Sequence, residues 1–92
     1  MTDVNVRLEC IRPAESWVQP RGEEVREVLR LAGLTGARAA QILGLGPKGD
    51  RTVRRWVSED NPIPYTAWAL LCEHAGLGLI WKADSKAKFF SG

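Results

Sequence analysis

The chain predicts a compact, mainly α domain of four to five helices, and three local patterns carry that prediction. Val25, Val28, Leu29 and Ala32 fall at i, i+3, i+4 and i+7, one apolar stripe along a helix. Glycine and proline then punctuate short helical stretches, at Gly33, across Gly44, Gly46, Pro47 and Gly49, and at Pro62 and Pro64. Finally, the segment Asp50 to Ser58 divides by side when wound at ~100° per residue. Arg51, Arg54, Arg55 and Ser58 lie within about 60° of one another, with Val53, Trp56 and Val57 opposite. A short helix, a glycine-rich turn and an amphipathic basic helix together spell a helix-turn-helix of the lambda-repressor-like type.

The elements follow in order. Val4, Val6, Leu8 and Cys10 alternate with Asn5, Arg7 and Glu9, which predicts a short N-terminal strand ended by Pro13. Residues 12–21 hold two prolines and read as an irregular connector, with Trp17 packed on the body. The first helix is expected from Pro20 or Arg21 to Ala32. Glu23 and Glu24 sit in its first turn, where the helix dipole favours negative charge, and with Glu27 they read as a solvated acidic face. Gly33 supplies a left-handed stop.

Thr35 is the expected N-cap of a second helix over 36–43, whose inner face is Ala39, Ala40 and Leu43 with Ile42 beside them. The third helix is expected to start at an Asp50 N-cap and end near Ser58. Pro64 fits the first position of a fourth helix, Tyr65 to Ala75, which is apolar on two sides and so needs two surfaces to pack on. Leu77 to Trp81 reads as a short C-terminal strand, and residues 82–92 as a polar tail reaching Phe89 and Phe90. The organisation is therefore an N-terminal strand or arm over 1–20, a helix-turn-helix and dimerisation domain over 21–81, and the tail.

Charge is unevenly placed. Residues 35–57 carry Arg38, Lys48, Arg51, Arg54 and Arg55 against Asp50 alone, while the rest of the chain is slightly acidic and the whole is +2. Phosphate attraction has to be aimed, and this separation aims it. The basic edge is expected in the major groove of double-stranded DNA, with Arg51, Thr52, Arg54, Arg55 and Ser58 facing the duplex. Arg38 is placed to reach a backbone phosphate or the groove edge, and Lys48 and the Gly49 amide are expected phosphate contacts from the turn.

Other chemistries find little support. His74 is a lone histidine, and Cys10 and Cys72 have no metal-type spacing and read as free thiols in a reducing, cytoplasmic setting. GLGPKGD lacks the ending and the preceding strand of a nucleotide loop. No catalytic residue, metal, cofactor or small-molecule effector is expected. The longest apolar run, Ala67 to Cys72, is far short of the ~20 residues of a membrane span. Ninety-two residues bury only ~60–65% of their unfolded surface, so a second copy is a useful source of burial. Tyr65, Trp68, Leu71, Cys72, Leu79 and Trp81 are the expected homodimer contacts. An antitoxin or adaptor that uses the same fold to hold another protein, or a co-regulator acting beside a larger partner, stays open as an alternative.

Over about residues 23–78 the chain resembles two groups of small repressors, through GLTG, AAQILGLG, KGDRTVRRW, SED and PIPYTAWALLC. It is similar to the KorC-type transcriptional repressors of broad-host-range plasmids, and less specifically to the anti-CRISPR-associated autorepressors of phages. The turn here is longer than the phage pattern, by residues at Gly46–Gly49. The resemblance implies homodimers that bind inverted-repeat (palindromic) operators and repress promoters. It also implies DNA-contacting roles for Arg38 and Arg51, with Arg54 as a further match.

Overall fold

A computed structural model describes residues 6–82. Four α-helices follow in chain order: α1 (Gly22–Ala32), α2 (Gly36–Leu43), α3 (Gly49–Ser58) and α4 (Tyr65–His74), preceded and followed by single 3-10 turns at Leu8–Cys10 and Ile80–Lys82. The architecture is mainly α, a helix-turn-helix domain in which α2 packs chiefly on α3 and α1 crosses both α3 and α4.

The helix ends are built from short-range chemistry. The Thr35 hydroxyl accepts the Arg38 amide at 3.1 Å, so one donor at the start of α2 is satisfied. Gly33 and Gly44 end α1 and α2 in the left-handed conformation. The α3 boundary differs from expectation. Lys48, without a side-chain bond, is the N-cap, and Asp50 lies inside the first turn, where it still favours the dipole. Gly49, buried against Ala40 and Leu45, lets the helix begin two residues early. Pro64 likewise stands one position earlier than expected, as the N-cap of α4.

Neither predicted strand forms among the described residues. At the N-terminal end the Cys10 and Ile11 amides fold back onto the Arg7 and Leu8 carbonyls at 3.0 and 2.9 Å. That turn buries Val6 and Cys10 but leaves Leu8 78% exposed, where a strand would have put all three on one face. At the other end Gly76 and Gly78 take φ of +86° and +93°, which breaks any extended run from Leu77 to Trp81. Residues 4 and 5 of the predicted strand and nearly all of the predicted tail lie outside the described residues.

The expected acidic face of α1 is also corrected. Glu24 is buried, and its carboxylate is the anchor of the N-terminal segment. It accepts the Arg7 backbone amide, Nε and Nη2, each at 2.9 Å, and the Arg21 amide at 2.6 Å. Burial by itself would raise the carboxyl pKa. The Arg7 guanidinium bond and the two amides outweigh that and hold it at about 2. A buried charge with four donors is tolerable where a bare one is not.

From that anchor, residues 6–19 wrap over α4. The Trp68 indole donates to the Cys10 carbonyl at 2.8 Å and the Tyr65 hydroxyl to the Arg12 carbonyl at 2.9 Å. Trp17 meets the Tyr65 ring edge-on at 5.0 Å, and Gln19 donates to the Ile63 carbonyl at 3.0 Å. The second apolar side of α4 is therefore covered largely by its own chain. Val25, Val28, Val53, Trp68, Leu71, Cys10 and Cys72 form the fully buried centre.

Candidate nucleic-acid interface

The physical division of α3 is sharp. Val53 and Trp56 are 1% and 5% exposed and Val57 is half-buried, while Arg51, Arg54, Arg55 and Ser58 stand in solvent and Thr52 is half-buried at the margin. The Trp56 side fixes the helix on α1 and α2, so the guanidinium groups project from a rigid base. Arg54 Nη2 lies 3.3 Å from Asp50 Oδ2, one helical turn back. Such an exposed pair is worth only ~0.2–1 kcal/mol and yields readily to a phosphate or a base edge. Arg51 and Arg55 have no ion pair among the described residues.

Arg38 is exposed on α2, with Nη1 donating to Gln41 Oε1 at 2.8 Å, and Lys48 is exposed at the start of α3. The turn between the two helices forms an open hollow of about 540 Å³ lined by Ala37, Gln41, Gly46, Pro47 and Asp50. A cation that sequence reasoning missed belongs to the same surface. Arg26 of α1 lines an open groove of about 580 Å³ together with Arg51, Arg54, Arg55 and Ser58. No local pattern marks it, because its position beside α3 depends on how α1 and α3 cross.

The residues expected at a dimer contact separate into two sets. Trp68, Leu71 and Cys72 are wholly enclosed by the chain itself, with no exposed surface. Tyr65 is half-buried, and Leu79 and Trp81 are exposed, Trp81 at 42%. Tyr65 and Trp81 line an apolar hollow of about 340 Å³ with Thr66, Ala69 and Leu70.

The two thiols are free and buried. Burial pushes Cys10 up to about 11, helped by the neighbouring Glu24 charge, and Cys72 up to about 12. Both stay protonated and chemically quiet at neutral pH. Among the described residues no three His, Cys, Asp or Glu side chains gather as a metal site, and no helix is long and apolar enough to cross a membrane.

Fold and surface together define a small helix-turn-helix regulator. No family model and no solved structure matches the chain. It is similar to two Escherichia coli proteins, each named Transcriptional repressor protein KorC. One is 79% identical over 80 residues, covering 87% of this chain and 94% of that protein. The other is 76% identical over 84 residues, covering 91% and 99%. The chain belongs to the KorC family of transcriptional repressors.

Proposed function

We propose that this repressor acts by binding double-stranded DNA as a homodimer at an inverted-repeat operator, in plasmid, phage or other mobile-element genes. The observation that supports it best is the division of α3, with Trp56 inward and an arginine row outward. A helix of ~10–12 Å diameter fills a major groove of ~12 Å, so its outward row meets base edges. Arg51 and Arg54 donate in pairs to guanine O6 and N7. Thr52 and Arg55 contact neighbouring bases or phosphates, Ser58 the groove margin, and Arg38 and Lys48 the sugar-phosphate backbone. Repression follows from occupying DNA that the polymerase needs, with no catalytic step and no cofactor.

Binding sites selected from a random duplex pool provide the probe. On the selected site, Arg51→Ala should weaken binding ~5- to 100-fold and relax preference at one base position. Wild-type affinity in a mobility-shift assay would remove α3 as the reading helix.

The second copy is assigned to the exposed apolar surface of Tyr65, Leu70, Leu79 and Trp81. A two-fold axis through it sets two reading helices on half-sites about 34 Å, or ~10 bp, apart or a multiple of that. Trp81→Glu buries a charge at that contact and should yield a folded monomer in sedimentation, with an unchanged helical spectrum. A variant that sediments as a dimer would move the contact elsewhere.

A further inference from the structure

We propose that Arg26, on α1, grips a phosphate of the DNA strand that flanks the reading helix, so that the contact surface extends beyond the helix-turn-helix itself. The inference rests on the DNA-binding reading above and adds a residue outside the motif.

Arg26 is exposed and makes no ion pair among the described residues, although acids surround it in the sequence. Glu24 is held by Arg7, and Glu27 by Arg30, whose Nη2 lies 2.6 Å away. Glu23, one turn back, is exposed and makes no hydrogen bond with Arg26. Asp60 at the far end of the groove accepts the Ser58 hydroxyl at 2.9 Å. The unpaired guanidinium shares a groove with Arg51, Arg54 and Arg55, over a floor that includes Leu29 and Val57.

Geometry gives this cation a target. When a helix fills the major groove, the walls beside it are sugar and phosphate, not base edges. Arg26 stands at such a flank, carried by the helix that packs against the inner side of α3. A bare acidic α1 would repel that wall, whereas Arg26 offers a planar fork suited to a phosphate. Such a contact adds affinity and aims the duplex without reading sequence.

The experiment titrates full-length wild type, Arg26→Ala, Arg26→Lys, Arg51→Ala and Arg12→Ala against the selected operator and a scrambled duplex, over a range of salt. Arg12, exposed and outside that groove, controls for net charge, and its backbone bond to Tyr65 is kept in the alanine variant. Arg26→Ala should weaken binding to both duplexes by a similar factor, ~3- to 10-fold, and reduce the slope of log K against log salt by ~0.9. Arg26→Lys should keep most of that slope, and Arg12→Ala should match wild type. If Arg26→Ala behaves like Arg12→Ala while Arg51→Ala still loses the operator, the phosphate role is refuted and the DNA-binding reading stands. A loss confined to the operator, with the slope unchanged, also refutes it. Failure of wild type to bind any duplex would overturn the underlying reading and this inference with it.

Discussion

Trp68→Ala is expected to cost the fold most of its stability. The indole is 0% exposed in the centre of the core, and truncating a side chain of that size leaves a cavity worth ~3–5 kcal/mol. It also removes the donor to the Cys10 carbonyl, and a buried carbonyl left without a partner adds ~1–3 kcal/mol. Domains hold only ~5–15 kcal/mol in total, and a short chain sits low in that range. Thermal unfolding should drop by more than ~15 °C or lose its cooperative transition altogether. Trp68→Phe, which keeps a ring but not the bond, should fall in between. A Trp68→Ala protein that melts like wild type would mean that α4 is packed differently. This outcome separates two of the tryptophans: Trp68 holds the core together, while Trp81 stands 42% exposed at the surface.

Gly22→Ala is expected to destabilise, against the ordinary sign of that change. Near a helix start, alanine for glycine generally gains up to ~1 kcal/mol. Here a Cβ would collide with the Val57 carbonyl oxygen and stand 2.8 Å from its carbon. Both are backbone atoms of α3 and cannot rotate away. Relief requires α3 to move bodily, which should cost ~2–3 kcal/mol and ~10–20 °C of melting temperature. Because α3 carries the arginine row, operator binding should weaken in the same variant even below its melting point. A rise in melting temperature would show that the α1–α3 approach is looser than described.

Much of this was legible locally. The α1 stripe, the Thr35 cap and the division of α3 all depend on residues within a turn or two of each other, which periodicity captures. What escaped depends on distant partners. Glu24 looked like a dipole-favouring acid because its cation, Arg7, lies 17 residues upstream. Alternation at Val4–Cys10 suggested a strand, but pairing needs an edge that no described element supplies. The two apolar sides of α4 correctly implied two packing surfaces. The second is largely the chain's own residues 6–19, which is why Trp68 is interior. Arg26 was invisible for the same reason, since only the helix crossing brings it beside Arg54.

Glu59 ends α3 with a φ of +67°, a conformation that costs a non-glycine residue about 1–2 kcal/mol. Its carboxylate accepts the Gly22 amide at 2.7 Å, so the close of one helix caps the opening of another. The transferable cassette is consequently three helices, not two. A graft of residues 35–58 onto a foreign scaffold would import the guanidiniums but leave behind the brace that aims them.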